Sequence, residues 1–119
     1  MINKLVISTV NHDKMIRFYS ALLKLDFRDT PIGDLKLSTA VHNGFTLLLC
    51  PAAISGVTTE TNNIQPTFVL TDVEGARARA LASGGSPISE EPTAGDDTLT
   101  WDIRDPDGNS VELFCTTGN

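Results

Sequence analysis

Two stretches of the chain share one order of hydrophobic patterns, in which a strand-like run leads directly into a helical stripe. The runs are residues 5–10 and 67–71, both rich in β-branched residues, and each predicts a strand. After the first run, Asn11 is a good N-cap residue, and apolar side chains follow at helical spacing: Met15, Phe18, Tyr19, Leu22 and Leu23. After the second run, residues 71–74 have the pattern of a capping box, and Gly84-Gly85 ends the predicted helix.

Each of these stretches begins one of two similar halves of the chain. The halves are offset by 61 positions, so that Asn11 in the first corresponds to Asp72 in the second. Three further strand candidates follow each helix, separated by turns with Pro and Gly. They lie near residues 26–30, 35–41 and 45–50, and again near 87–89, 98–103 and 110–115. The sequence therefore predicts an α+β fold, with one domain over residues 1–119 built from two βαβββ modules at about 1–56 and 62–116. A polar linker at residues 51–63 joins them. Each module alone is too small for a good core, so the modules share a sheet surface or pair across a dimer.

Composition narrows the partners of the protein. Fifteen acidic and nine basic residues give a formal net charge of −6, which argues against nucleic acid and anionic membranes because both need a basic surface. The most apolar run, residues 45–50, is only strand-sized, and residues 1–5 lack the apolar run of a signal peptide. The two cysteines, Cys50 and Cys115, form no CxxC pair. We therefore expect a cytoplasmic protein without a membrane span.

The C-terminal part of the chain resembles a known superfamily. The run Asp105-Pro106-Asp107-Gly108-Asn109, followed by Val111-Glu112-Leu113, resembles the closing signature of the vicinal oxygen chelate superfamily. Val10-Asn11 leading to Phe18-Tyr19 resembles its opening signature. That superfamily includes glyoxalase I, bleomycin-resistance proteins, fosfomycin-resistance enzymes and extradiol dioxygenases. The resemblance implies a half-open barrel of mixed sheet with helices on the outside, and a homodimer.

The resemblance also implies four positions around the barrel interior that hold a divalent ion in the metalloenzymes. In this chain they are Lys4, Leu48, Gln65 and Glu112, and strand alternation allows all four to face one concavity. In a dimer, Lys4 and Leu48 of one chain would meet Gln65 and Glu112 of the other. Leu48 has no lone pair, and a protonated Lys4 has no acceptor. Because Glu112 is the one strong ligand and Gln65 a weak one, we predict no catalytic metal and no cofactor.

Lys4 and Glu112 allow two interpretations. In the preferred one they form an ion pair, in which the ammonium opposes the rise that burial causes in the pKa of the carboxyl group. In the other, Lys4 binds an anionic ligand or Glu112 acts as a general base, which makes Glu112 the candidate catalytic residue.

Two main functions follow from the resemblance, and whether the protein is an enzyme stays open. The first is a metal-free protein, similar to the bleomycin-resistance branch, that binds a small organic molecule in the concavity. Its expected lining is Lys4, Val6, Leu48, Gln65, Val69, Trp101, Glu112 and Phe114. The alternative is a lyase, isomerase or dioxygenase that depends on a divalent metal such as Zn, Ni, Mn or Fe. A third interpretation is a partner-binding or regulatory module with a collapsed barrel.

Four other side chains have weaker claims to a role. Trp101 either lines the ligand pocket or packs against a helix or dimer partner, since Leu99, Trp101 and Ile103 alternate together. His12 is expected to be solvated at the start of a helix, and His42 lies at a predicted hairpin tip. We expect Cys50 to be an inert buried thiol.

Overall fold

The first module is a four-stranded mixed sheet with a long helix packed on one face. In the computed structural model, which describes residues 2–56 and 64–117, its elements are β1 (Lys4–Thr9), α1 (His12–Leu23), β2 (Arg28–Ile32), β3 (Leu35–His42), β4 (Phe45–Pro51) and α2 (Ala52–Ser55). The strand order of this first sheet is β1-β4-β3-β2, with β1 parallel to β4. The β3–β4 hairpin turns at Asn43-Gly44, where both residues have positive φ, as the predicted turn requires.

The second module repeats this plan with shorter strands. Its elements are β5 (Thr67–Val69), α3 (Val73–Ala82), β6 (Ser86–Pro87), β7 (Thr93–Ala94), β8 (Thr98–Arg104) and β9 (Ser110–Thr116). The second sheet has the order β5-β9-β8-β6, with β7 also paired to β8 and β5 parallel to β9. The two sheets do not close on each other within the described chain. This is the predicted α+β fold of two modules, consistent with a half-open barrel.

Two segments differ from the sequence prediction. The strand expected near residues 87–89 is the two-residue β6, which ends at Pro87, and the additional short strand β7 follows it. Beyond the end of β6, the carbonyl oxygen of Ser89 accepts hydrogen bonds from the side chains of Trp101 and Arg77. The expected linker begins with the short helix α2, which ends at Gly56 with a φ of 75°. Residues 57–63 of that linker lie outside the described residues.

One cluster of buried side chains spans both modules. The predicted stripe of α1 is confirmed, since none of its five side chains is more than 7% exposed. Helix α3 packs against α1 through the smaller side chains of Val73, Ala76 and Ala80, all buried. Asp72 is the N-cap of α3, and its carboxylate accepts a hydrogen bond from the backbone N–H of Gly75 at 2.9 Å. No helix in the described residues has the length and apolar character of a membrane span.

The turn between β8 and β9 joins the second module to helix α1 of the first. Asp105 is 2% exposed, and one of its oxygens accepts hydrogen bonds from the hydroxyl of Tyr19 at 2.8 Å and the side-chain amide of Asn109 at 2.9 Å. The other oxygen accepts from the backbone N–H groups of Asp107 and Asn109 at 3.0 and 2.9 Å. Asn11 leaves its own helix uncapped and donates to Asp107 at 2.7 Å. The DPDGN run is therefore a buried joint between the modules.

Candidate functional site

The face of the first sheet turned away from α1 carries the N-terminal half of the predicted site. We call it the first open face, and it comprises Lys4, Val6, Val41, Thr46 and Leu48. Along β1, Lys4 and Val6 are exposed while Ile7 is buried, which confirms the predicted alternation. Val6 lies opposite Leu48 on β4 in parallel register. Val6 is 46% exposed and Val41 66% exposed, so this face presents apolar surface to solvent in a single chain.

The corresponding face of the second sheet carries the C-terminal half. This second open face comprises Thr67, Val69, Asp102, Glu112 and Phe114, with Glu112 opposite Thr67 and Phe114 opposite Val69. The Thr67 hydroxyl donates a hydrogen bond to Glu112 Oε1 at 2.9 Å. Val69 is 69% exposed. Just before β5, the side-chain amide of Gln65 donates to Ser110 Oγ at 2.5 Å.

Asp102 belongs to this face and was absent from the lining predicted from the sequence. It lies directly across from Glu112 on the neighbouring strand, so two carboxylates share one side of the sheet. Burial raises the pKa of Asp102, and the charge of Glu112 adds to the rise, whereas a hydrogen bond from Gln65 opposes it. The sequence pattern could have indicated this position, because Asp102 lies between Trp101 and Ile103 on β8 and must therefore point to the opposite side of the sheet.

Trp101 lies on the other side of the second sheet, towards the helices. Its strand partner is the buried Leu113, and the guanidinium of Arg77 lies 4.0 Å from the centre of its ring. The indole N–H donates to the backbone carbonyl of Ser89 at 3.0 Å. This position matches the helix-packing role considered for Trp101 and separates it from the seven other predicted lining residues.

Lys4 and Glu112 do not form an ion pair within one chain. In residues 2–56 and 64–117, the ion pairs are those that Lys36 makes with Asp13 and Asp29. Lys4 is exposed on the first open face, and the carboxylate of Glu112 is bonded to Thr67 on the second. The preferred sequence interpretation is therefore wrong for the single chain.

The side chains at the four superfamily positions do not fit a catalytic metal. Leu48 provides no donor atom, and Lys4 brings a positive charge. Glu112 and the newly placed Asp102 are two carboxylates, and Gln65 adds one weak oxygen ligand. Catalytic zinc sites use three ligands of the histidine, cysteine or carboxylate type. The donor set of one chain falls short of that number.

A second polar cluster links the start of α1 to the β2–β3 hairpin. It corrects the expectation that His12 is solvated, because the imidazole is partly buried against Ser38. Ser38 is fully buried, and its hydroxyl donates to Asp29 Oδ1 at 2.6 Å. Its only proton is thereby used, so its oxygen accepts from His12 Nε2, which lies at 2.7 Å. His12 Nδ1 is then a buried acceptor without a partner. Burial lowers the pKa of His12, the charge of Lys36 lowers it further, and Asp13 and Asp29 oppose the shift.

This cluster predicts that the protein loses stability in mild acid. In the unfolded chain His12 binds a proton near pH 6.5, whereas in the folded chain it binds that proton only at a lower pH. Stability therefore falls as the pH decreases from about 6.5 towards the folded pKa. We expect His12→Gln to flatten the decrease in melting temperature between about pH 7.5 and about pH 5.5. The matched variant His42→Gln, at the β3–β4 hairpin, should keep the parent slope. If the melting temperature of His12→Gln decreased with pH as steeply as that of the parent, protonation of His12 would not be the cause of the acid sensitivity.

Comparison with known proteins gives the family. The model of the glyoxalase-like domain family matches residues 4–114. The fold is similar to a glyoxalase/bleomycin resistance protein from Albidiferax ferrireducens T118, with a TM-score of 0.78, 20% identity and coverage of 97% of this chain and 98% of that chain. A glyoxalase-related enzyme from Fulvimarina pelagi has a TM-score of 0.77 and 17% identity, with coverage of 98% and 88% of the two chains.

A glyoxalase/bleomycin resistance protein/dioxygenase family enzyme from Burkholderia phytofirmans PsJN gives a TM-score of 0.76 at 15% identity, covering 96% of this chain and 97% of that chain. No curated protein sequence matches the chain. At these identities the structures establish the fold, and the family model spans nearly the whole sequence, including the DPDGN joint and both open faces. The chain thus belongs to the glyoxalase-like domain family, within the vicinal oxygen chelate superfamily.

Proposed function

We propose that this protein is a metal-free binding protein that holds a small organic molecule against its open faces. The observation that carries the proposal is the chemistry of the superfamily positions, where Leu48 and Lys4 replace two metal ligands. Val6, Leu48, Val69 and Phe114 provide apolar surface for such a molecule. Lys4, Gln65 and Glu112 provide polar groups that orient it.

The site we propose is completed by a second copy of the chain. Within one chain the open faces expose apolar side chains, while α1 and α3 pack between the modules. The first open face carries the cation Lys4, and the second carries Asp102 and Glu112, so the two faces are complementary in charge. In a homodimer, Lys4 of one protomer would approach Glu112 of its partner. We further propose a cytoplasmic location, where the free thiols of Cys50 and Cys115 stay reduced.

Native mass spectrometry tests both parts of this proposal. We expect the mass of two chains without a bound metal ion. Val69→Glu on the second open face should yield single chains, because it buries a third carboxylate beside Asp102 and Glu112. The matched control Val10→Glu, at a valine that is 83% exposed and outside both open faces, should stay dimeric. A parent protein that is monomeric at high concentration would contradict the assembled site.

Asp102 favours one alternative function, because it adds a second carboxylate beside Glu112. With a ligand from a second copy, these groups would suit a metal-dependent lyase, isomerase or dioxygenase. Thermal shift with Zn²⁺, Ni²⁺, Mn²⁺ and Fe²⁺ separates the two functions, since binding to the folded state raises the melting temperature. We expect no rise in melting temperature that requires Glu112 or Asp102 on the second open face. A stoichiometric metal, or a rise that is lost in both Glu112→Gln and Asp102→Asn, would overturn the metal-free function.

A further inference from the structure

A cavity of about 630 Å³ lies at the end of the first sheet, outside both open faces. It is bounded by the last residues of β1 and β4, by α2, by the start of α1 and by the β2–β3 hairpin. His12 and Lys36, which line it, share the α1 side of the sheet with the buried Ser38. Its volume lies within the range of sites for small molecules, roughly 300–1,000 Å³. The superfamily positions Lys4, Leu48, Gln65 and Glu112 contribute nothing to it.

Most of the wall of this cavity is apolar and accessible. Its apolar lining is Val10, Pro31, Leu35, Pro51, Ala52 and Ala53. Val10 is 83% exposed and Leu35 is 41% exposed, so neither is used by the core. An apolar body of a few carbon atoms would remove both side chains from water.

The charged groups of the cavity favour a cation. Lys36 is held between Asp13 at 3.1 Å and Asp29 at 3.3 Å, so its charge is already compensated. Asp34, at the turn of the β2–β3 hairpin, also lines the cavity and makes no ion pair or hydrogen bond within the described residues. The cavity is lined by two carboxylates, Asp13 and Asp34, against one ammonium, and Asp29 behind Lys36 adds a third negative charge nearby. The net charge is therefore negative, and His12 adds none when neutral. An anionic ligand would be repelled, whereas an ammonium group finds a free carboxylate in Asp34.

We propose that this cavity is a second binding site, specific for small organic cations that carry an amine on an apolar body. The ammonium group lies beside Asp34, and the apolar body packs against Val10 and Leu35. The site is independent of the function proposed for the open faces, because it shares no residue with them.

Three probes of similar shape and different charge test the proposal by NMR titration of the full chain: benzylammonium, benzyl alcohol and benzoate. We expect benzylammonium to shift the amide signals of Val10, Leu35 and Ala53 and to leave those of Val69 and Glu112 unchanged. It should bind more tightly than benzyl alcohol, and benzoate should bind most weakly. Equal affinity for all three probes would overturn the cation class, and shifts confined to the open faces would overturn the location.

Substitution of the free carboxylate provides the second measurement. Asp34→Asn should weaken benzylammonium binding roughly two- to five-fold, as expected for one exposed charge pair, and should leave benzyl alcohol binding unchanged. The matched control Asp26→Asn, an exposed aspartate at the opposite end of α1, should leave both affinities unchanged. Equal losses in the two variants would mean that only the net charge of the protein matters. No binding of benzylammonium at about 20 mM would also overturn the site, because a weak fragment still binds in the millimolar range.

Discussion

Replacing Asp105 with alanine is expected to lower the free energy of unfolding by about 3 kcal/mol or more, the largest loss we predict for any single substitution. The carboxylate accepts four hydrogen bonds and is 2% exposed. Its removal leaves the fully buried Tyr19 hydroxyl without the carboxylate that accepts its proton, and a buried unsatisfied group costs about 1–3 kcal/mol. The three bonds that hold the turn to this carboxylate are lost as well. Chemical denaturation of the purified variant at neutral pH measures the loss directly.

Smaller changes at the same joint provide the controls. Tyr19→Phe removes one of the four donors and should cost about 1–3 kcal/mol. Asp107→Ala breaks only the half-buried bond to Asn11 and should cost about 1 kcal/mol. Because Tyr19 and Asp105 share one bond, the double variant should lose less than the sum of the two single variants. Additive losses would mean that the turn does not hold the second module to α1.

The alternation of strands and the spacing of α1 were sufficient to predict most of the fold. Ile7 is buried between the outward-facing Val6 and Ser8, and the stripe from Met15 to Leu23 is the centre of the core. These features depend on periodicity within one element, which a sequence displays directly. Helix α2 has only four residues, too few for a periodic pattern, so residues 51–63 were predicted only as a polar linker.

Contacts between residues from distant segments could not be predicted from the sequence. Tyr19 and Asp105 are 86 positions apart, and no local pattern indicates their hydrogen bond. The cluster of His12, Asp29 and Ser38 likewise depends on how the β2–β3 hairpin folds over the start of α1. Asp102 is a different case, because alternation with the apolar Ile103 predicts that it lies on the side of β8 away from the core. The register of β8 and β9 then places it beside Glu112. Trp101 allowed two roles from the sequence, pocket lining or packing, and its contact with Arg77 on the helix side matches the second.

Gly85→Ala is expected to destabilise the protein by about 1–3 kcal/mol, as overpacking of a core commonly does. A Cβ atom at this position would lie 2.6 Å from Cε2 of Phe18 and 3.0 Å from the carbonyl oxygen of Ala80. Phe18 is fully buried and packs edge-on against Tyr19 at 4.8 Å, so its ring has no free space to enter. Alanine also restricts the unfolded chain, which stabilises a protein by about 0.4–1 kcal/mol, less than the steric cost. Denaturation measures the net loss.

Two comparisons show whether the ring of Phe18 causes this loss. In Gly95→Ala, at an exposed glycine, the new Cβ would lie 2.5 Å from Oγ1 of Thr98 at the start of β8, but this hydroxyl is the end of a short side chain that can rotate away. That variant should change stability by no more than about 0.5 kcal/mol. Phe18→Leu opens a cavity and is destabilising by itself, yet it provides the space that the methyl group at position 85 needs. The double variant Gly85→Ala, Phe18→Leu should therefore be more stable than the sum of its parts predicts, whereas strict additivity would place the steric conflict elsewhere in the core.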